Sequence, residues 1–316
     1  MKALKLSLIA VLAIFATSCS DDDPIYVAPA ANNSITAIAS GNPDFSILVT
    51  ALVRTDLAAT LDGEGPFTVF APTNAAFNVF LDGGDVNDVP VAALKEILLN
   101  HVVLGAVQSN DLSTGYVKTL AKGSASATNT LSMYVDTSNG VKLNGISTVT
   151  TANIIASNGV IHVVDRVIGL PTVVDHALAN PNFTTLVAAL TYNPSSNFAA
   201  ILSGTASSPF TVFAPTNDAF TSFLNETGYT GLSNIPANVL ENTLKYHVVA
   251  GANVTAGDLT DGQVVTTFQG QNFTIGLTGG AKITDASNRV SNIIATDIQC
   301  SNGVIHALDK VLLPVF

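Results

Sequence analysis

The sequence PFTVFAPTNAAF at residues 66–77 occurs again as PFTVFAPTNDAF at residues 209–220, with a single difference in twelve positions. Three further blocks repeat in the same order around it: NPDF at 42–45 and NPNF at 180–183, NHVV at 100–103 and YHVV at 246–249, and SNGVIHVVD at 157–165 and SNGVIHALD at 301–309. The paired blocks lie 138 to 146 residues apart, which is far longer than the period of a solenoid repeat. The sequence therefore predicts a whole domain that occurs twice in tandem, with small insertions in the loops.

The repeated blocks place a first domain at residues 34–170 and a second domain at residues 171–316. Only a few residues around Pro171 connect the two domains. With so short a connection, we expect the domains to contact each other and to move little relative to each other.

Within each domain, helical patterns come first and strand patterns follow. The segment FTVFA after Pro66 alternates aromatic and β-branched residues, which predicts a strand, and Thr73 after Pro72 is the predicted N-cap of a short helix. In the first domain we also predict helices from Phe45 onward and over 91–99, followed by strands at 116–120, 130–135, 141–143, 148–150 and 159–164. This order is typical of the α+β class and not of alternating parallel βαβ units.

The composition excludes several classes of protein. Of the 316 residues, 47% are hydrophobic and only 11% are charged, compared with the ~25% charged residues of an average soluble domain. No uncharged apolar stretch reaches the ~18–20 residues of a spanning helix. The net charge of −11 argues against a nucleic-acid partner, and two cysteines are too few for a disulfide scaffold or a four-cysteine zinc site.

The first 18 residues have the pattern of a secretory signal peptide. Lys2 and Lys5 precede an apolar run at 6–15, and small residues at 16–18 stand directly before Cys19. This segment resembles the lipobox of bacterial lipoproteins, in which the cysteine is lipidated and becomes the first mature residue. A lipidated Cys19 would attach the protein to a membrane without a spanning helix, and the mature chain would carry a charge of −13 because both lysines leave with the signal.

The residues after the cysteine predict the location. They resemble an acidic export tag that sends Bacteroidetes-type lipoproteins to the outer face of the outer membrane, and they are Ser20, Asp21, Asp22 and Asp23. We therefore expect an outer membrane lipoprotein that is exposed at the cell surface, with a periplasm-facing lipoprotein as the alternative. Residues 19–33 then form a flexible tether.

The repeated blocks together resemble fasciclin-like domains, over nearly all of both copies. The resemblance implies that each domain is a wedge-like β-sandwich with several helices, and that the protein acts in cell adhesion or extracellular-matrix contact. The tyrosine–histidine pair of that family is present as Tyr246 and His247, whereas Asn100 precedes His101 in the first domain. The resemblance thus makes the first domain the weaker candidate for any binding that uses this pair.

Four of the five histidines occupy matched positions, His101 with His247 and His162 with His306. A metal or catalytic role requires carboxylates, cysteines or further histidines that converge on them, so we expect buried, neutral histidines that bond to the backbone. The fifth, His176, has no counterpart, and we expect it at the surface.

The remaining polar motif residues are predicted to support the fold. We expect Thr73 and Thr216 to cap helices. Asn74 and Asn217, which follow them, are expected to bond backbone groups in the turns. We expect turn or ion-pair roles for Asp165 and Asp309, and a small core position for Cys300. We predict no metal, no cofactor and no catalytic residue.

These features predict a non-catalytic surface lipoprotein that mediates adhesion or matrix contact. Its partners would be the membrane, through the lipid on Cys19, and a surface protein or polysaccharide. One alternative is a carbohydrate-binding accessory protein of a surface uptake system, although the absence of tryptophan counts against it. Another is a hydrolase with an unrecognised site.

Overall fold

The computed structural model describes residues 33–316. The predicted signal peptide, most of the tether, the predicted lipidation site Cys19 and the tag Ser20, Asp21, Asp22 and Asp23 lie outside the described residues. No helix among residues 33–316 combines the length and the apolarity that crossing a membrane requires.

The first domain begins with helices and ends with strands. Its helices are α1 (Ile35–Ser40), α2 (Ser46–Arg54), α3 (Leu57–Asp62), α4 (Asn74–Leu81) and α5 (Val91–Leu99). Its strands are β1 (Phe67–Pro72), β2 (Val102–Leu104), β3 (Gly115–Lys122), β4 (Thr130–Asp136), β5 (Lys142–Leu143), β6 (Ser147–Ala156) and β7 (Gly159–Val164). The predicted α+β class is confirmed.

The second domain repeats this order with shorter strands in its middle. Its helices are α6 (Val173–Ala179), α7 (Thr184–Thr191), α8 (Phe198–Ser203), α9 (Asn217–Thr227) and α10 (Ala237–Tyr246). Its strands are β8 (Phe210–Pro215), β9 (Val248–Ala250), β10 (Val264–Thr266), β11 (Asn272–Gly276), β12 (Lys282–Thr284), β13 (Val290–Cys300) and β14 (Gly303–Leu308).

The sheets have equivalent strand orders. In the first domain the pairing closes into a barrel in the order β1 to β7, and β1 lies between antiparallel β2 and parallel β7. In the second domain the order is β10-β11-β12-β13-β14-β8-β9, so this sheet stays open between β9 and β10. The repeated motif strands are thus direct neighbours: β1 pairs with β7 and β8 pairs with β14.

Each domain has two hydrophobic cores, one on each side of the motif strands. Helices cover one side, where the first-domain core includes Phe45, Phe77 and Leu94. The strands enclose the other side, where Phe70 and Met133 are fully buried. Alternate residues of β1 therefore serve different cores, which is why this strand is buried along its entire length.

The observed elements extend the sequence prediction in particular places. The predicted helix at 91–99 coincides with α5, whereas the sequence analysis did not anticipate α1 or α3. Both of these helices have six residues, which is too short for a helical hydrophobic period to be recognised.

Candidate functional site: the motif residues and the junction between the domains

The SNG segments hold the motif strands in register. A Cβ atom on Gly159 would overlap the carbonyl oxygen of Phe67, and one on Gly303 would overlap that of Phe210. Only glycine therefore allows the backbones of the paired strands to approach this closely. Asn158 adds hydrogen bonds from its Nδ2 to the carbonyl oxygens of α3 and the following turn, at 2.8 Å.

His162 and His306 occupy equivalent buried positions on these strands. The ring of His162 stacks on Phe70 with centroids 5.4 Å apart, and His306 stacks on Phe213 at the same distance. In His162, Nε2 lies 3.0 Å from the Val107 carbonyl oxygen, while Nδ1 accepts from a backbone N–H.

The matching contacts of His306 are 2.9 Å from Nε2 to the Val254 carbonyl oxygen and 3.4 Å from the Asp297 N–H to Nδ1. Because Nε2 faces a carbonyl oxygen it must carry a proton, and because Nδ1 accepts from an N–H it must not, so both rings are neutral with the proton on Nε2. Burial lowers the pKa of both His162 and His306, which agrees with the neutral form.

His101 and His247 connect the end of a helix to the chain after the last strand. Nδ1 of His101 donates to the Ile97 carbonyl oxygen at 2.8 Å, and Nε2 accepts from the Ile168 N–H at 2.9 Å. In the second domain, Nδ1 of His247 donates to the Thr243 carbonyl oxygen at 2.7 Å, and Nε2 accepts from the Leu312 N–H at 2.8 Å. Burial lowers the pKa of both histidines to about 4. All four matched histidines thus use both ring nitrogens within the fold.

Thr73 and Thr216 cap the helices after the motif strands, where each hydroxyl accepts from the backbone N–H three residues later. Asn74 joins this helix start to another one, because its Oδ1 accepts from the Ile47 N–H at 2.9 Å. Asn217 makes the equivalent bond to the Thr185 N–H at 2.9 Å. These polar residues therefore fix the relative positions of two helices.

The tyrosine–histidine pair of the second domain is not at the surface. Tyr246 is completely buried, and its hydroxyl donates to the Asn272 carbonyl oxygen at 2.7 Å and accepts from the Ala286 N–H at 2.9 Å. Burial is the main cause that raises its pKa to about 12. With His247 also buried, a partner cannot contact this pair in the folded domain.

In the first domain, Asn100 occupies the position that corresponds to Tyr246, and it makes different contacts. Its Nδ2 donates to the Gly169 carbonyl oxygen at 2.8 Å, and its Oδ1 accepts from the Thr119 hydroxyl at 3.1 Å. Asn100 is completely buried as well.

The expectation that His176 lies at the surface is wrong, because this residue is completely buried. It is located on α6, and the edge of its ring faces Tyr116 of the first domain, with centroids 5.5 Å apart. Neither ring nitrogen has a hydrogen-bond partner, and burial lowers its pKa to about 4. The sequence could not indicate this burial, because it is the contact between the domains that covers the side chain.

The expected contact between the two domains is present, and it is polar. Lys118 Nζ donates to the Asp297 carbonyl oxygen at 2.8 Å and to the Ser132 hydroxyl at 3.1 Å. The same hydroxyl accepts from the Gln299 N–H at 3.0 Å. Asn180 adds a 3.2 Å hydrogen bond to the Tyr116 hydroxyl.

The turn between β3 and β4 extends this contact. The Ala125 N–H and the Ser124 hydroxyl both donate to the Ser301 carbonyl oxygen at 3.0 Å. Gly123 is so close to Ser301 that a Cβ atom would overlap its backbone. Our sequence analysis did not identify these junction residues. The signal was a difference in length between the two copies, since eleven residues lie between Thr119 and Leu131 in this hairpin but only three between Thr267 and Gln271 in the second domain.

The remaining candidate residues have structural positions. Asp165 accepts from the Thr148 N–H at 2.7 Å, and Asp309 accepts from the Asn292 N–H at 2.7 Å. Cys300 is a completely buried free thiol, and burial raises its pKa. In the described part of the chain, no group of three or more His, Cys, Asp or Glu residues is arranged to hold a metal ion.

Two surface depressions have enough volume to hold a ligand or a partner. A groove of about 840 Å³ on the first domain is lined by Glu64 and Ile155, among others. A cleft of about 220 Å³ at the junction has the exposed side chains of Ile146 and Leu178 in its lining.

The model of the fasciclin domain family matches residues 43–171 and 181–314. The chain therefore belongs to the fasciclin domain family, as a tandem pair. Protein sll1483 of Synechocystis sp. is 43% identical over 139 residues, which are 43% of this chain and 72% of that protein. The uncharacterized protein sll1735 of the same organism is 37% identical over 144 residues, which are 46% of this chain and 98% of that protein.

Longer relatives match across both domains. Human periostin is 28% identical over 274 residues, which cover 82% of this chain but only 29% of periostin. A solved structure, described as a FAS1 domain pair from the insect cell adhesion molecule fasciclin I, aligns with a TM-score of 0.47 and 20% identity. The alignment covers 88% of this chain and 96% of that chain.

Proposed function

We propose that the protein is a non-catalytic lipoprotein whose two fasciclin domains act in adhesion or matrix contact at the outer face of the outer membrane. In this proposal, a lipid on Cys19 attaches the chain, and residues 19–33 form the tether between the lipid and the first domain. Both domains are then held close to partners on the cell surface, so weak contacts add up through a high effective concentration.

The proposal that the protein is non-catalytic rests on the hydrogen bonds that the repeated histidines make. In His101, His162, His247 and His306, both ring nitrogens contact backbone groups of the same domain. A general base needs a free nitrogen that reaches the substrate, so these residues support a scaffold better than a reaction. The duplicated motifs then serve the fold, and binding is left to the exposed surfaces.

The lipid anchor can be tested by growing expressing cells with an alkyne fatty acid and by detecting label on the protein. We expect label on the natural chain and none on a C19A variant, which should also leave the membrane fraction. The matched control is C300A, which removes the buried cysteine and should keep the label. Label that persists on C19A would contradict the anchor.

The location can be tested by treating intact cells with a protease. We expect the protein to be degraded, and a variant with D21N, D22N and D23N to be protected because it lacks the acidic tag. Protection of the natural chain would instead place it on the periplasmic side.

The binding role can be tested with the C19A chain immobilised on a surface and offered extracellular-matrix proteins and a glycan array. Binding to matrix proteins supports the proposal, and binding to glycans alone supports the carbohydrate-binding alternative. Turnover of chromogenic ester or glycoside substrates that is lost in H162A or H306A, with folding retained, would show an enzyme and overturn it.

A further inference from the structure

The junction joins two different faces of the same type of domain. The first domain contributes the outer face of β3 and β4, where Tyr116, Lys118 and Ser132 contact the second domain; we call this the hairpin face. The second domain contributes α6 and the end of β13, with His176 and Gln299; we call this the receiving face. Because the domain is duplicated, the second domain has a hairpin face and the first domain a receiving face that no other residue of the described range 33–316 covers.

Strand pairing identifies the free hairpin face. In the first domain, Tyr116 of β3 pairs with Tyr134 of β4, and Lys118 pairs with Ser132. In the second domain, Val264 of β10 pairs with Thr274 of β11, and Thr266 pairs with Asn272. Val264 therefore corresponds to Tyr116, and Thr266 to Lys118. The covered residues Tyr134 and Ser132 are 4% and 1% exposed. Val264, in contrast, is 62% exposed.

The free receiving face is identified in the same way. Ile155 pairs with Val160 in the first domain, as Gln299 pairs with Val304 in the second. Gln299 is 2% exposed under the first domain, whereas Ile155 is 60% exposed. The groove of about 840 Å³ lies beside Ile155.

The chemistry of both free faces differs from the junction in the same direction. On the hairpin face, Val264 stands where the junction has Tyr116. On the receiving face, Ile38 of α1 stands where α6 has His176, and Ile155 stands where β13 has Gln299. Each free face thus carries one strongly exposed aliphatic residue, Val264 on the hairpin face and Ile155 on the receiving face, while Thr266 and Asn272 keep the rest of the hairpin face polar. The two aliphatic side chains can pack against each other.

We propose that a second copy of this chain binds head to tail, with the hairpin face of its second domain on the receiving face of the first domain. Val264 of one copy then packs against Ile155 of the next, beside the half-buried Ile38 of α1. The contact repeats the geometry of the junction within the chain. Because it joins unlike faces, it leaves one face of each kind free and extends into chains of copies.

The length of the hairpin limits the strength of this contact. Only three residues lie between Thr267 and Gln271 in the second domain, compared with eleven between Thr119 and Leu131 in the first. The second domain therefore has no equivalent of the turn that bonds to Ser301. The association between copies is consequently weaker than the junction, and it is favoured where copies are concentrated.

The test is sedimentation analysis of the C19A chain up to millimolar concentration. We expect reversible growth beyond a dimer, and a loss of affinity of roughly tenfold or more in I155D and in V264D, because each removes a buried aliphatic side chain. The matched control is V79D on α4, where a similarly exposed valine lies on neither face. Both variants should melt like the natural chain, since their positions are exposed.

Mixing I155D with V264D separates the head-to-tail contact from a symmetric one. I155D keeps its hairpin face and V264D keeps its receiving face, so the mixture should form one-to-one dimers that do not grow further. A chain that stays monomeric at every concentration would overturn the proposal. Self-association that neither variant weakens, or a mixture that forms no dimer, would also overturn it.

Discussion

In the first domain, β3 and β4 form a long hairpin across residues 115–136, whereas in the second domain β10 and β11 meet in a tight turn at 267–271. The long hairpin covers the receiving face of the next domain, whereas the outer face of the short one meets no other domain within residues 33–316. Duplication thus supplied two similar scaffolds, and the longer turn of the first adds hydrogen bonds to a junction that the strands already form.

The two domains share the close approach of the motif strands at Gly159 and Gly303. A G159A or G303A substitution places a Cβ atom against the carbonyl oxygen of the paired motif strand. Because backbone must move, we expect each to cost more than about 3 kcal/mol of unfolding free energy. The measurement is chemical denaturation, with G169A as control because it has open space. Normal stability in either variant would show that the close approach is not required.

The second prediction concerns His176, which the first domain replaces by Ile38. Its pKa is about 4 when folded against 6.5 when exposed, so between these values only the unfolded chain binds the proton. The stabilisation that comes from keeping His176 neutral is fully present above pH 6.5 and is lost as the pH falls toward 4.

As the pH falls from 7 to 4, we expect the free energy of unfolding of H176I to decrease by about 3 kcal/mol less than that of the natural chain. Besides burial, the groups that act on the pKa of His176 are Asp175, Lys118 and the backbones of Ser132 and Gln299, all of which this substitution retains. Urea unfolding of both proteins from pH 7 to pH 4 measures the difference. Parallel curves would contradict a buried, uncharged imidazole at the junction.

The third prediction uses the tyrosine that only the second domain has. Y246F leaves the Asn272 carbonyl and the Ala286 N–H without their partner inside the domain. We expect a loss of about 2 kcal/mol, because buried polar groups without partners are costly. Thermal unfolding measures it, and Y192F serves as the control because Tyr192 is exposed. Equal effects of the two substitutions would be inconsistent with the buried hydrogen bonds.

The smallest effect is expected at the tip of the long hairpin. G123A pushes the turn away from Ser301 and should cost about 1 kcal/mol, since a surface turn can shift. The specific sign is faster hydrogen exchange of the Ala125 N–H, which donates to Ser301. G257A should leave this exchange unchanged, because its Cβ atom would meet only the Thr255 hydroxyl at an ordinary contact distance of 3.9 Å. Unchanged protection in G123A would show that the turn does not hold the domains together.

Much of each scaffold could be predicted from local signals. Thr73 was predicted to be a cap because it follows a strand and precedes an apolar helical period, and its hydroxyl accepts from the Ala76 N–H. The parallel pairing of β1 with β7 could not be predicted, because it joins segments about 90 residues apart and depends on long-range packing. His176 shows the same limit, since its own neighbours in sequence give no sign of the domain that covers it.

Repeated local patterns in the sequence were enough to predict that a domain occurs twice, that each copy is α+β and that the chain resembles fasciclin domains. The folded chain was needed to show that backbone hydrogen bonds occupy the ring nitrogens of the motif histidines, and that Gln299 is covered while Ile155 is exposed. Burial and hydrogen-bond partners depend on which distant surfaces meet, and local patterns do not carry this information. Two nearly identical motifs can therefore lead to one covered face and one free face.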